Sequence, residues 1–250
     1  MPEKKQFGKI EVIVCQDAQE VARVSAEIFA QAIKKKPDIV LGLATGGTPV
    51  GMYRELIKRH LDKGPDFSRV RSFNLDEYEG LSGEHPQSYR YFMNHNLFDH
   101  ININKSNTRV PDGKAGDFKI SCQKYEEAIK AAGGIDLQLL GIGSNGHIAF
   151  NEPHSAQDSR TRIVDLKEGT IKDNARFFQD ESEVPRRAVT MGIGTILETR
   201  KIILLATGSN KKDTVAKSVR EPATPDVPAS FLQNHPDCTF VVDREAAAGL

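Results

Sequence analysis

Residues 38–49 read Asp-Ile-Val-Leu-Gly-Leu-Ala-Thr-Gly-Gly-Thr-Pro, a short apolar run followed by a glycine turn. A short run that is apolar on both faces is typical of a parallel strand covered by helices on each side. Gly46 and Gly47 allow a tight turn. Thr48 would cap the next helix, and Pro49 suits its first position. The stretch predicts a strand, a turn and a helix, the repeating unit of an α/β fold.

Similar apolar runs recur along the chain, separated by amphipathic stretches. The predicted strands are 9–15, 38–44, 69–75, 135–142, 201–207 and 238–242. One helix is predicted to begin at a capping box formed by Asp17 and Glu20. Further helices are predicted at 49–63, 87–98, 117–132 and 210–219. This alternation indicates a doubly wound α/β sheet.

Residues 153–186 interrupt the alternation, because they are polar, charged and weakly periodic. In an α/β enzyme an insertion of this kind is often a mobile lid. We therefore predict a single domain over residues 1–250 with a lid at 153–186.

The composition narrows the classes of partner. The chain has 250 residues, of which 27% are charged, and its formal net charge is zero. A balanced surface argues against nucleic acid or an anionic membrane as the main partner. No apolar stretch approaches the roughly 20 residues that span a bilayer, and the charged N-terminus contains no signal-peptide core. The three cysteines form no Cys-x-x-Cys pair, so neither a zinc site nor a disulfide framework is indicated, and we expect a cytoplasmic protein.

The turn from Thr45 to Thr48 is the first candidate site. Its backbone N–H groups and the dipole of the following helix would favour a phosphate. Lys211, after another glycine turn, and Arg176, in the irregular segment, could approach the same anion. Taken alone, the turn reads equally well as an ordinary strand-to-helix connection, and each cation as a solvated surface charge.

Two further segments carry acid–base residues. Asp76 and Glu77 are adjacent carboxylates at the carboxyl end of a predicted strand, where a carboxylate can act as a general base. The alternative is a solvated pair at the end of a strand. Residues 141–146 contain the letters Gly-x-Gly-x-x-Gly, but a proline at 153 leaves little room for the helix that a dinucleotide site needs. His147 with Glu152 five residues later is better suited to proton transfer, although a lone histidine there is more often structural.

Together these segments resemble the glucosamine-6-phosphate deaminase family. The matching segments, in the family's order, are LATGGTPVGMY (43–53), SFNLDEYEGL (72–81), EHPQSYRYFM (84–93), GIGSNGHIAFNEP (141–153), SRTRIV (159–164), NARFF (174–178) and LATGSNKK (205–212). The resemblance implies a Rossmann-like three-layer α/β/α sandwich around a largely parallel sheet. It also implies conversion of glucosamine 6-phosphate and water to fructose 6-phosphate and ammonia. Proton transfer and hydration need no cofactor and no metal, so we expect neither.

The resemblance assigns a role to each site residue. Asp76 would move a proton between C2 and C1 of the sugar. His147 would assist opening of the pyranose ring, with Glu152 as its partner. The phosphate would be held by the turn that contains Gly46, Gly47 and Thr48, together with Arg176 and Lys211.

Three positions depart from the family pattern. Asn145 stands where many members carry an aspartate, so the carboxylate support of His147 is incomplete, although an asparagine can still orient the ring. Val164 and Ala156 stand where members activated by N-acetylglucosamine 6-phosphate carry a lysine and a serine. The departures bear on regulation rather than on activity.

Two other readings compete with the deaminase. A 6-phosphogluconolactonase shares the fold, but its pattern resembles Gly-His-Thr-Ala-Ser-Leu-Phe-Pro, whereas residues 146–153 read Gly-His-Ile-Ala-Phe-Asn-Glu-Pro. A sugar-phosphate sensor of a transcription regulator would need a DNA-binding segment, and the first predicted strand begins near residue 9. The expected partner is a small sugar phosphate. Monomer, dimer and hexamer all remain open, so a homo-oligomer is neither required nor excluded.

Overall fold

The computed structural model describes residues 2–175 and 178–250. Its strands are β1 (Glu3–Phe7), β2 (Ile10–Cys15), β3 (Val40–Leu43), β4 (Arg71–Asn74), β5 (Asp76–Tyr78), β6 (Thr108–Arg109), β7 (Leu137–Gly141), β8 (Arg162–Asp165), β9 (Arg187–Thr190), β10 (Ile202–Ala206) and β11 (Cys238–Asp243). Its α-helices are α1 (Ala18–Lys35), α2 (Gly47–Leu61), α3 (Tyr89–Asn96), α4 (Phe118–Ala131), α5 (Glu168–Ala175), α6 (Ile193–Leu197) and α7 (Lys212–Arg220).

Eight of the described strands form the central sheet, in the order β1-β2-β11-β10-β7-β3-β4-β6. Every neighbouring pair is parallel except β1 and β2. Every residue of β3, β10 and β11 is buried, as expected for central strands covered on both faces. The predicted fold class, an α/β sandwich with a largely parallel sheet and flanking helices, is confirmed, and each of the six predicted strands is present.

The order of the strands defines where a ligand would bind. In chain order, the strands β3, β4 and β6 lie side by side from the middle of the sheet to one edge. The next strands, β7, β10 and β11, lie side by side from the middle toward the other edge. The direction therefore reverses between β3 and β7, and a crevice forms at such a switch point outside the carboxyl ends of the strands. The glycine turn follows β3 and the histidine segment follows β7, so these two segments meet at this crevice.

A second sheet, in the order β5-β9-β8, is antiparallel throughout. Beneath it lies an apolar cluster that includes Tyr78, Phe150 and Ile171. Residues 153–186 supply β8, α5 and several buried members of this cluster. The sequence pattern of this segment did not predict the small core, because each short element contributes only one or two apolar side chains.

Two local predictions were wrong. The first strand begins at Glu3 rather than near residue 9, and β1 pairs with β2 through a turn in which Gly8 has a φ of 55°. The sequence of β1 shows no apolar alternation because the strand lies at the edge of the sheet, where charged side chains are common. Thr48 does not cap α2: Gly46 is the N-cap residue, with no side-chain cap hydrogen bond, and Pro49 is the third helical residue.

The first helix begins as predicted, since the Asp17 carboxylate accepts the backbone N–H of Glu20 at 2.8 Å. Among the described residues, no helix combines the length and apolar character needed to cross a bilayer.

Candidate active site

An open cleft of about 850 Å³ lies at the switch point of the central sheet. Most of the residues predicted for the site meet in its wall. They are Thr45, Gly46, Gly47, Thr48, Asp76, His147 and Lys211. These residues come from the ends of four different strands, so only the folded chain brings them together.

The glycine turn forms one end of the cleft. Gly46 has a φ of 99°, in the region that favours glycine, and a Cβ atom on Gly46 or Gly47 would meet no atom within 4 Å. The space beside this turn is therefore open to a ligand. Tyr53 anchors the start of the turn from below, because its hydroxyl donates to the carbonyl of Ala44 at 2.6 Å. Together with the start of α2, the turn has the geometry of an anion site.

Asp76 lies just after β4, in the wall of the cleft, and only 5% of it is exposed. Among the described residues, no group donates a hydrogen bond to its carboxylate. Burial, followed by the charge of Glu77, raises the pKa of Asp76 to about 8. A carboxyl group with a pKa in this range can both take and return a proton near neutral pH.

Glu77 is also buried, but it points into the protein. Its carboxylate accepts the backbone N–H groups of Tyr78, Tyr89 and Arg90, the last two at the start of α3. Burial is the largest influence on Glu77 and raises its pKa to about 7, although these hydrogen bonds oppose the shift. The two adjacent carboxylates thus do different work: Asp76 faces the cleft, whereas Glu77 caps a helix.

His147 is held by a relay of polar groups behind the cleft. The side-chain Nδ2 of Asn145 donates to Oε2 of Glu152 at 2.7 Å. Asn145 must therefore present its Oδ1 to His147, and the distance from Oδ1 to the ring Nδ1 is 2.8 Å. Because Oδ1 can only accept, this network assigns the proton of the neutral ring to Nδ1 and leaves Nε2 as its basic nitrogen.

Asn145 and Glu152 thus contact His147 from behind rather than line the cleft. Glu152 is 6% exposed, and its Oε2 lies 3.8 Å from the histidine Nδ1, beyond hydrogen-bond distance. Asn145 is the group that bridges them. The sequence alone could not distinguish this bridge from a turn residue that merely tolerates a left-handed backbone; the contacts favour the bridge.

Gly143 supports the ring from below. A Cβ atom at Gly143 would lie within 2.2–2.5 Å of three ring atoms of His147, so the imidazole packs directly on the glycine backbone. No helix begins within residues 141–152, which form turns and an isolated bridge instead. The glycines therefore position a histidine and do not form the strand-to-helix turn of a dinucleotide site.

Of the two predicted cations, the structure describes Lys211. Lys211 ends a short 3₁₀ turn after β10 and lines the cleft. This turn is anchored by Asp243, whose carboxylate accepts the backbone N–H of Gly208 at 2.9 Å. Arg176 lies outside the described residues.

Comparison with known proteins identifies the family. A family model described as glucosamine-6-phosphate isomerases/6-phosphogluconolactonase matches residues 16–241. A glucosamine-6-phosphate deaminase of Thermoanaerobacter pseudethanolicus is 52% identical over 239 residues, which cover 96% of this chain and 94% of that protein. The chain belongs to this family.

Solved structures of a deaminase and of a lactonase resemble this chain to different degrees. A monomeric glucosamine-6-phosphate deaminase superposes with a TM-score of 0.94 at 46% identity, covering 96% of this chain and 99% of that one. A 6-phosphogluconolactonase from Trypanosoma brucei superposes with a TM-score of 0.78 at 21% identity, with 99% and 100% covered. The second likeness shows the shared fold only, and the resemblance to the deaminase family is confirmed.

The fold adds to the cleft wall further residues to which the sequence analysis assigned no role, three of them from α3 and α5. These are Tyr89, Thr170 and Asn174. Tyr89 begins α3, and the other two lie one turn apart on α5. One signal for two of them was that Thr170 and Asn174 are four residues apart, a spacing that places side chains on the same helical face.

A second cleft, of about 1060 Å³, lies between α4 and β8. Its most buried carboxylate, Glu126, already accepts hydrogen bonds from Thr161, Thr195 and Arg160. This arrangement ties α4 to the segment before β8. Within residues 2–175 and 178–250, no group of three or more histidine, cysteine, aspartate or glutamate residues is placed to hold a metal ion.

Proposed function

We propose that this protein converts glucosamine 6-phosphate and water to fructose 6-phosphate and ammonia. One observation carries the proposal: a buried carboxyl group with a raised pKa, a fixed histidine and a glycine anion turn line the same cleft. Isomerisation of an amino-sugar phosphate requires these three functions. The 52% identity to a deaminase over nearly the whole chain supports the same reaction.

Ring opening is the first step, and we assign it to His147. Opening moves a proton from the hydroxyl on C1 to the ring oxygen, which breaks the C1–O5 bond and leaves an aldehyde. The Nε2 atom can accept the proton from the hydroxyl on C1 and deliver it to the ring oxygen. Asn145 holds the other nitrogen at 2.8 Å, so the reactive nitrogen has a constant orientation.

Proton transfer between carbons follows, and we assign it to Asp76. The aldehyde acidifies the proton on C2; the carboxylate removes it, and the aldehyde oxygen takes up a proton from water as the enolamine forms. The same carboxyl group returns the proton to C1, and loss of one N–H proton to water leaves a ketimine at C2. Water then adds to the C=N bond, and ammonia leaves as the ketone forms. Burial of Asp76 suits both directions of transfer, because it brings the pKa of the carboxyl group closer to neutrality.

In this proposal the phosphate supplies binding energy at a distance from the reacting carbons. The turn from Thr45 to Thr48 would bind its oxygens through backbone N–H groups, and Lys211 would supply charge. Such contacts position C2 beside the base without taking part in the chemistry. Arg176 remains a predicted phosphate ligand from the sequence. A lid at 153–186, a single domain over 1–250 and a cytoplasmic location likewise remain predictions.

Regulation is the finer part of the proposal. We expect hyperbolic kinetics without activation by N-acetylglucosamine 6-phosphate, because Val164 packs against the apolar cluster beneath the second sheet and Ala156 carries no hydroxyl. An effector needs different affinity for two conformations, and neither side chain offers a phosphate a hydrogen bond. Initial rates with and without the effector test this; a sigmoidal curve that becomes hyperbolic would contradict it.

An ammonia-release assay tests the reaction itself. We expect turnover of glucosamine 6-phosphate, and a rate at least a hundred-fold lower with unphosphorylated glucosamine, since the anion contacts are lost. Hydrolysis of 6-phosphogluconolactone is measured in parallel as the competing activity. Lactone hydrolysis without ammonia release would replace the proposal. Gel filtration of the same sample decides between monomer and homo-oligomer; the similar solved deaminase is described as monomeric.

A further inference from the structure

Glu152 is held from a side that the sequence did not indicate. Thr170, on α5, is 4% exposed, and its hydroxyl donates to Oε1 of Glu152. The other carboxylate oxygen, Oε2, accepts the amide of Asn145 at 2.7 Å. Each oxygen of this buried carboxylate therefore has its own neutral donor, and the two donors come from different segments of the chain.

These contacts determine which way the amide of Asn145 faces. The amide has a donor end and an acceptor end that differ little in shape. Oε2 of Glu152 selects the donor end, and the backbone N–H of His147 donates to the acceptor end at 3.2 Å, so Oδ1 faces Nδ1 of His147 at 2.8 Å. If the carboxylate rotated, the amide would lose the stronger of the two contacts that orient it, and the proton of the histidine could move to Nε2.

Thr170 is the group that opposes this rotation. Its hydroxyl holds Oε1 toward α5, while the direct distance from Oε2 to the histidine Nδ1 is 3.8 Å. Without the hydroxyl, Oε1 would be buried with no neutral donor on that side. The carboxylate would then turn toward the imidazole, because a buried acceptor without a partner is unfavourable.

The helix that carries Thr170 is itself anchored. The next residue, Ile171, is 6% exposed and packs in the apolar cluster with Tyr78 and Phe150. Thr170 also lines the cleft. The hydroxyl therefore has a defined position relative to the site and does not depend on a surface side chain.

We propose that Thr170 is a positioning residue that acts through Glu152 and Asn145 to keep the proton of His147 on Nδ1. The proposal rests on the proposed function, in which Nε2 of His147 serves ring opening. It adds a residue from the segment 153–186 to the acid–base machinery.

Kinetics of Thr170→Val provide the first test. Valine keeps the shape of threonine but removes the hydroxyl. We expect kcat for ammonia release to fall about ten- to one-hundred-fold, with KM changed less than about three-fold, since the phosphate contacts are elsewhere. Thr170→Ser should restore most of the rate. Thr199→Val is the matched control, because the Thr199 hydroxyl is also buried but donates to the carbonyl of Ile196.

Nitrogen-15 NMR of the His147 ring provides the second test and does not depend on activity. We expect one Nδ1–H tautomer in the wild type and in Thr199→Val, and a mixture in Thr170→Val; His147→Gln assigns the signal. An unchanged tautomer, or an unchanged kcat in Thr170→Val, would overturn the proposal. A loss of rate that serine does not restore, together with a lower unfolding midpoint, would show a merely structural role. Failure of the wild type to release ammonia would instead refute the proposed function, and the tautomer measurement would still decide the role of Thr170.

Discussion

Two buried carboxylates, one in the wall of the cleft and one behind it, have opposite surroundings. Asp76 is 5% exposed, and among the described residues nothing donates a hydrogen bond to it. Glu152 is 6% exposed, and both of its oxygens accept hydrogen bonds. Equal burial thus accompanies different hydrogen bonding, because the Asp76 carboxylate has no donor among the described residues, whereas each oxygen of Glu152 has one.

This difference separates two roles that residue type cannot separate. A buried carboxyl group without donors has a raised pKa, which suits a base that takes and returns a proton near neutral pH. A carboxylate with a donor on each oxygen has a fixed orientation, which suits a group that positions a neighbour. Substitutions at and around the cleft test these roles, beginning with the one of largest expected effect.

Asp76→Asn should have the largest effect. It keeps the size of the side chain but removes the base, so kcat for ammonia release should fall at least about a thousand-fold, within the range attributed to acid–base catalysis. Binding of the sugar phosphate, followed by calorimetry, should persist. A variant with near-normal turnover would remove Asp76 from the proton-transfer step.

Lys211→Ala should mainly weaken substrate binding. The loss of one charge-assisted contact to phosphate corresponds to about 1.5–3 kcal/mol, or roughly a ten- to one-hundred-fold rise in KM, with a smaller change in kcat. Lys212→Ala is the matched control, since the neighbouring side chain is exposed and does not line the cleft. An equal rise in KM for both variants would show a general effect of charge.

Asn145→Asp should change the pH dependence more than the rate. The new carboxylate would lie beside His147 and favour the imidazolium, so the limb of the pH–rate profile that depends on His147 should move to higher pH. Asn145→Ala should lower kcat about ten-fold through lost orientation, with little movement of that limb. If kcat/KM profiles of all three proteins coincide, Asn145 serves only the turn.

The smallest expected effect is that of Glu77→Gln. Asp76 acts as a base only when deprotonated, and its pKa is about 8, so kcat/KM should rise with pH up to about that value. The charge of Glu77 contributes to this raised pKa. Removing the charge should therefore move the limb to lower pH.

Glu79→Gln is the control for this shift. Glu79 forms its ion pair with Arg187 at 3.3 Å, and its charge is not among the influences on Asp76. A profile that moves equally in both variants, or a Glu77→Gln profile that moves to higher pH, would contradict the electrostatic account of Asp76.

Much of the fold was predictable from the sequence because its signals are local. Short runs apolar on both faces predicted the parallel strands, and the capping pattern at Asp17 predicted the start of α1. Gly46 marked a turn because only glycine readily adopts its positive φ. By contrast, β1 was not predicted because this edge strand has no apolar alternation. The second sheet was not predicted because its strands pair through backbone hydrogen bonds between segments that are distant in the chain.

The sequence by itself determined which residue types were available: a carboxylate pair, a histidine near a glutamate, and a glycine turn. Only the tertiary structure decided what each of them does. It brought four strand ends to one crevice, left Asp76 without donors and directed Glu77 to a helix start. It also placed Thr170 of α5 against Glu152. The physical reason is that burial and hydrogen bonding depend on neighbours distant in the chain, and these neighbours set the pKa and orientation of a side chain.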